Sequence, residues 1–372
     1  MRIGVPREIK EEEFRVGLTP ESVREYVRAG HEVFVELGAG AGIRAPDSAY
    51  LAAGAKITGS AEEIFASCDM IIKVKEPQRS EWTRLREGQI LFTYLHLAAD
   101  RVQTEGLLAS GCTAIAYETV TGPRGQGLPL LAPMSEIAGR LSIQAAELGL
   151  QYHKGGRGLL LGGVPGVLPA RVTVVGGGVA GMQAARMAVG LGADVTILDS
   201  SLGRLRQLDE MFQGRAKTCF ASTAAIEAAV FGSDAVIGAV LIPGAQAPKL
   251  VTRSMLAEMN QGAVLVDISI DQGGCFESSH PTTHKNPFFS VEGVVHYCVA
   301  NMPGAVPLTA TQALNRATLP YGLALAASGL AALTTDPGLR SGLNVHRGQV
   351  THKAIADSLG FALQPAEMAL AA

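Results

Sequence analysis

Short apolar runs alternate with amphipathic stretches along almost the whole chain. RIGVP reads as a strand. LTPESVREYVRAG reads as a helix, with Thr19 as its N-cap, Pro20 in the first turn and Gly30 as the stop. HEVFVEL is the next strand, followed by the glycine-rich loop GAGAG. The runs DMIIKVKEP, QILFTYLHL and CTAIAYETV are further strands, and DRVQTEGLLASG between the last two is a helix. A long helical pattern, SEIAGRLSIQAAELGLQ, then leads into the loop GGRGLLLGGVPGVLPA.

After that loop the alternation restarts. RVTVVGGG, DVTILD, DAVIGAVL and AVLVDISID read as strands, and VAGMQAARMAVGLG, LGRLRQLDEMF and TRSMLAEMNQG as the helices between them. Continuous Val/Ile-rich strands alternating with helices predict parallel sheets covered on both faces. TQALNRATLPYGLALAASGLAAL is helical again and is expected to pack on the first domain. The fold class expected is α/β with two Rossmann-like domains. Residues 1–130 and 307–372 form a discontinuous domain, and residues 131–306 a second one inserted into it.

A chain of 372 residues is long enough for two cores, and its 47% hydrophobic and 17% charged content argues against disorder. The net charge of −3 and the lack of a Lys/Arg-rich run argue against nucleic acid as a partner. MRIGVPREIK lacks the apolar core of a signal peptide, and no apolar stretch reaches membrane-spanning length. The five cysteines (68, 112, 219, 275 and 298) are scattered and never C-x-x-C. A reduced, cytoplasmic protein with no membrane partner is expected. His280 and His284 in SHPTTHK, with Cys275 upstream, have a spacing that would bind zinc on a helix. Pro281 and the polar neighbours make the segment a loop, so no metal is expected.

The strongest local signal is RVTVVGGGVAGMQAARMAVGLGADVTILD. Gly176, Gly178 and Gly181 form G-x-G-x-x-G between an apolar strand and an amphipathic helix. The first glycine permits the tight turn, the second lets the backbone approach a pyrophosphate, and the third lets helix pack on strand. The helix N-terminus, at Val179 and Ala180, offers N–H groups and its positive dipole end to phosphates. Asp199 ends the next strand, where a carboxylate takes ribose hydroxyls and repels a 2′-phosphate, so NAD is the cofactor expected. Arg204 and Arg206 follow closely and also fit plain helix-surface charges.

Hydride transfer needs a substrate clamp and a proton shuttle. Arg15 follows the first strand, Lys75 ends the strand MIIKVKEP, and His96 ends the strand region ILFTYLHL. An arginine fork and a lysine point charge suit a carboxylate. The plain alternatives are a loop surface charge for Arg15, a strand-end lysine reaching to water for Lys75, and a core histidine for His96. Asp271 ends AVLVDISID, and Asn301 follows VVHYCVA; loop caps explain both equally well.

Taken together, the segments GVPREIKEEEFRVGLTP, VKEP, YLHLAAD, APMSEIAGRLSIQ, GGRGLLLGGVPGV, VVGGGVAG, GAVLIPGAQAPKLV, VDISIDQGGCFE and YCVANMPGAVP resemble the alanine dehydrogenases, relatives of the NAD-binding subunit of proton-translocating transhydrogenase. The resemblance spans essentially the whole chain. It implies a substrate domain and an NAD domain facing each other across a cleft, commonly in homohexamers. It implies reversible, NAD-dependent oxidative deamination of L-alanine to pyruvate and ammonium. Arg15 and Lys75 would hold the substrate carboxylate, and His96 would be the acid/base, a task suited to imidazole, whose reference pKa is about 6.5. Asp271 would assist proton transfer and water activation. Met134 and Asn301 would line the substrate pocket; Ser135, Val240, Ile268, Asp271 and Met302 would face the cofactor. Two rivals share the fingerprint: a soluble transhydrogenase subunit and a non-catalytic NAD-binding module.

Overall fold

The computed structural model describes residues 1–240 and 247–371. Residues 241–246, inside the segment GAVLIPGAQAPKLV, and residue 372 lie outside the described residues. The chain divides into two compact units, Met1–Met134 with Val306–Ala372, and Ser135–Ala305.

The first unit begins with β1 (Arg2–Val5), β2 (Glu32–Glu36), β3 (Lys56–Thr58), β4 (Met70–Ile72), β5 (Ile90–Thr93) and β6 (Thr113–Ala116). The second unit holds β7 (Arg171–Val175), β8 (Asp194–Asp199), β9 (Lys217–Phe220), β10 (Ala235–Gly238), β11 (Val264–Asp267), β12 (Phe288–Val291) and β13 (Val294–Tyr297). The chain then adds β14 (Leu343–His346) and β15 (Gln349–Val350) to the first sheet.

The first sheet runs β15-β14-β6-β5-β4-β1-β2-β3 and is parallel from β6 to β3. Its strand order therefore reverses between β1 and β4, and open α/β sheets bind ligands at the carboxyl ends beside such a reversal. The second sheet runs β12-β13-β11-β10-β7-β8-β9 and reverses between β7 and β10. Both sheets end in an antiparallel margin, β14–β15 in one and β12 in the other, which the uniform alternation of the sequence does not announce. These margins are hairpins of two or four residues per strand, too short to carry a periodic signal.

Why the central strands read as continuous apolar runs is plain from their burial. Every residue of β4, β5, β10 and β11 is buried, because helices cover both faces. The first helix, Pro20–Arg28, is capped as expected: the Thr19 side chain accepts from Ser22 N at 3.2 Å, and Gly30 turns out at φ +85°. The predicted helix over TQALNRATLPYGLALAASGLAAL starts earlier, at Pro307, and runs to Ser328 within the first unit. Among the described residues no helix is long and apolar enough to cross a membrane.

One buried histidine gives the second unit a defined acid limit. His296, in β13, is fully buried; its Nδ1 donates to the Val294 carbonyl at 3.0 Å, and Nε2 meets Ser278 Oγ at 2.7 Å. Burial pushes its pKa down to about 4. The unfolded imidazole takes up its proton first, near pH 6.5, while the folded one stays neutral. Stability from this source is complete above pH 6.5 and is lost as the pH falls toward 4, by about 3 kcal/mol in all. Urea unfolding at pH 7 and pH 4.5 should show the parent losing more stability than His296→Phe; equal losses would refute this account.

Candidate active site

Three segments of the first unit carry chemistry past the carboxyl ends of their strands. After β1, Arg15 is 2% exposed, not a surface charge. Its Nε donates to Glu13 Oε1 at 2.7 Å and its Nη2 to Glu13 Oε2 at 2.6 Å. This is a two-toothed, charge-assisted pair, the arrangement that lets a guanidinium stay ionised out of water. Burial works against the charge, but Glu13 outweighs it and holds the Arg15 pKa above its ordinary value. The remaining nitrogen, Nη1, lies 3.1 Å from the thioether sulfur of Met134, so the structure brings these two candidates together.

After β4 come Lys73, Val74 and Lys75. Lys75 is 8% exposed, and its carbonyl accepts from Thr93 Oγ1 at 3.0 Å, which ties the ends of β4 and β5 together. Among the described residues its ammonium makes no hydrogen bond and no ion pair within 4.0 Å. The charge is felt nevertheless: burial pushes the Glu76 carboxyl up, but Lys75 and Lys10 outweigh it and bring it below the usual carboxylate range. A nearly buried ammonium without a counter-ion in contact among the described residues is poised for an anionic ligand.

After β5 the chain breaks out of the strand. Tyr94 is buried and donates to the Leu130 carbonyl at 2.5 Å, while His96 turns outward with φ +53° and ψ 36°. The side chain of His96 is 46% exposed, so it is not a core histidine. Its ring stacks on Tyr94, with centroids 5.9 Å apart and planes 6° apart. Glu118, past β6, holds this turn: one carboxylate oxygen accepts from His96 N at 2.6 Å and from Leu95 N at 3.1 Å, and lies 3.9 Å from His96 Nδ1. A left-handed conformation at a non-glycine residue costs of order 1 kcal/mol and persists where surroundings enforce it. Here two amide bonds to one carboxylate do so.

In the second unit the glycine loop follows β7. Gly176 sits at φ +98°, and a Cβ on Gly181 would fall 1.8 Å from the Gly176 carbonyl oxygen, so only glycine lets helix Val179–Gly190 approach the strand. A Cβ on Gly178 would meet no atom of the described residues within 4 Å. Open space at the head of a helix, beside Val179 and Ala180, fits a pyrophosphate. Asp199 ends β8, accepts from Gly177 N and Ser201 N, each at 2.8 Å, and stays half-buried. Arg204 is more than a surface charge: its Nε donates to the Gly177 carbonyl at 2.6 Å and braces the loop. Arg206 is exposed.

Asp271 does not end a strand. β11 stops at Asp267, whose side chain accepts from Ser269 N at 3.0 Å and turns the chain into the one-and-a-half-turn helix Ile268–Gln272, with Asp271 exposed on it. Ile268 heads that turn, and the Val240 carbonyl accepts from Ser269 Oγ at 2.8 Å. Asn301 has φ +61°, and its carbonyl accepts from His284 Nε2 at 3.2 Å. Met302 is buried; Ser135 is half-buried in the first turn of helix Ala132–Gly149. The loop histidines go separate ways, since His280 packs on Phe289 and Cys275 is buried beside Asp267. Among the described residues no cluster of three His, Cys, Asp or Glu side chains is arranged for a metal.

Sequence reasoning passed over several residues that build these sites. Glu118 and Asp267 each close an apolar strand run, and a carboxylate in that place signals buried amide donors to be satisfied. Asp267 is fully buried and accepts from Cys275 N at 2.9 Å and Ser279 Oγ at 2.6 Å. Lys249 donates to the carbonyls of Gly273, Gly274 and Phe276, clasping the loop beyond Asp271. Nothing in EEEFR distinguishes Glu13 from its neighbours. A pocket of about 440 Å³ beside residues 7–15 includes Glu13 and Arg15 but neither Lys75 nor His96, so it is not the substrate site by itself.

The family model described as alanine dehydrogenase/PNT, N-terminal domain, matches residues 4–138, and that of the C-terminal domain matches residues 142–353. The alanine dehydrogenase of Halomonas elongata is 57% identical over 361 residues, 97% of each chain. The solved structure of an L-alanine dehydrogenase superposes with a TM-score of 0.93 at 53% identity, covering 97% of this chain and 99% of that one. The transhydrogenase from Sinorhizobium meliloti superposes less closely, with a TM-score of 0.80 at 27% identity over 95% and 100% of the two chains. This chain belongs to the alanine dehydrogenase/PNT family.

Proposed function

We infer that the chain is an NAD-dependent amino-acid dehydrogenase that converts L-alanine reversibly to pyruvate and ammonium. The observation that carries this is end-to-end similarity above 50% to alanine dehydrogenases, against 27% to the transhydrogenase. The glycine loop, helix head and Asp199 carboxylate fit NAD, with Ser135, Gly176, Gly178, Val179, Ala180, Gly181, Asp199 and Arg204 holding it or its loop. Val240, Ile268, Asp271 and Met302, on segments that follow β10, β11 and β13, would face the cofactor. Bound NAD would supply the hydride acceptor for the substrate Cα, and NADH the donor in the reverse direction.

The chain's own residues then do the rest. Arg15 and Lys75 bind the substrate carboxylate: the weak thioether acceptor at Arg15 Nη1 yields to a carboxylate oxygen, and Lys75 adds a point charge. Water adds to the oxidised carbon, the C–N bond then breaks to release ammonia, and His96 moves the proton at that added oxygen, its turn held steady by Glu118. Asp271 assists that transfer and activates water. Met134 and Asn301 shape the substrate side. A homohexamer is the assembly we propose, and the exposed apolar side chains of Leu160, Val164, Val167 and Leu168 fit a surface covered by other copies.

Purified protein given L-alanine should reduce NAD, and reduce NADP much less. Asp199→Ala should weaken NAD binding and narrow that preference, because the carboxylate that repels a 2′-phosphate is gone. Binding of NAD without any alanine-dependent NADH formation would sink the enzyme reading. An unchanged NAD/NADP ratio in the variant would remove Asp199 from ribose recognition.

A further inference from the structure

Arg15 and Lys75 stand on two different loops, one leaving β1 and one leaving β4, and something must set their separation. The strands themselves pair only up to Ile3–Met70 and Gly4–Ile71, well short of either cation. Beyond that point the loops are joined by Glu8. Its Oε1 accepts from Val74 N at 2.6 Å, and its Oε2 accepts from the Lys73 ammonium at 3.0 Å. Lys73 is wholly buried and forms a second ion pair with Glu81 Oε1 at 2.8 Å. Glu81 in turn accepts from Gln78 N at 2.7 Å and caps the short helix Arg79–Trp82. An exposed pair, Lys10 with Glu76, crosses between the same two loops.

We propose that the buried Glu8–Lys73 pair is a positioning element for substrate recognition, fixing Lys75 relative to Arg15 so that both meet one carboxylate. The proposal rests on the reading of Arg15 and Lys75 as the carboxylate clamp. Its physical basis is directional. An apolar contact would join the loops with less desolvation, but it leaves them free to slide. A carboxylate bonded at once to the Val74 amide and to the Lys73 ammonium fixes both the register and the direction of the peptide that leads into Lys75. The chain bends at Val74 and Lys75 just past the end of β4, so Lys73 is anchored wholly in the interior while Lys75, two residues on, stays 8% exposed. Neither Glu8 nor Lys73 is needed to touch the substrate.

The test is a split between Michaelis constants in the reductive direction. Glu8→Gln keeps an acceptor for Val74 N but sets an amide against the ammonium; Lys73→Met removes the ammonium; the double variant removes both buried charges. Each should raise the pyruvate KM by about tenfold or more while leaving the NADH KM within about twofold. Loss of folded enzyme lowers apparent kcat but cannot raise KM, so a merely structural role gives the opposite split. Pyruvate KM within about twofold of the parent in a folded variant would overturn the proposal. So would failure of all three variants to fold, which would assign the pair to stability alone. Arg15→Lys and Lys75→Met are run alongside. If they leave the pyruvate KM unchanged, the clamp reading itself falls; if they raise it while Glu8→Gln and Lys73→Met do not, only the positioning role falls.

Discussion

His96→Ala and His96→Asn should both lower turnover by about 10²–10⁴-fold while leaving NAD affinity close to that of the parent. The expectation follows from how the residue is held. Its side chain is 46% exposed, so removing the ring opens no cavity in the core. Its backbone, not its ring, carries the bonds to Glu118 that fix the turn. Asparagine tolerates the left-handed conformation at φ +53° better than alanine, and therefore separates lost chemistry from a relaxed turn. Steady-state kcat together with NAD titration by fluorescence decides the matter. A near-normal kcat in either variant would show that His96 moves no proton in the reaction.

The second large effect concerns two glycines three residues apart. Gly181→Ala places a Cβ 1.8 Å from the Gly176 carbonyl oxygen, a backbone atom that cannot swing aside. Helix Val179–Gly190 must then lift from β7, with overpacking strain of about 1–3 kcal/mol or more, and NAD binding should be lost. Gly178→Ala meets no atom of the described residues within 4 Å and keeps an ordinary φ of −62°, so the protein without ligand should melt as the parent does. Its NAD affinity should still fall by about tenfold or more, because the methyl group occupies the approach to the helix N-terminus. Thermal melts with and without NAD distinguish the two. A Gly178→Ala protein that binds NAD like the parent would mean that the pyrophosphate lies elsewhere.

These two sites were not equally legible in the amino-acid order. The glycine loop and Asp199 lie within one strand–turn–helix–strand unit, where local backbone sterics dictate which residue types are possible, so their spacing alone announced the geometry. The cations of the first unit were visible only as charges near strand ends. Whether Arg15 was a surface charge depended on Glu13 and on Met134, a residue far along the chain. Whether His96 faced the core depended on Glu118, past a different strand. Asp271 was read as a strand end because the valine run concealed the demand of Asp267 for buried amide donors, which ends the strand four residues earlier.

The sequence by itself determined the element order, the parallel α/β class, the capped first helix and the dinucleotide turn. Each rests on periodicity or on steric limits acting within a few consecutive residues. The tertiary structure alone decided which charges are buried, which carboxylate pairs with which cation, and how the loops after β1 and β4 are locked together. Those outcomes depend on contacts between residues such as Glu8 and Lys73, far apart in the chain but adjacent where the strand order reverses. No pattern along the chain encodes such a pairing, because desolvation and hydrogen-bond geometry act only once the chain has folded.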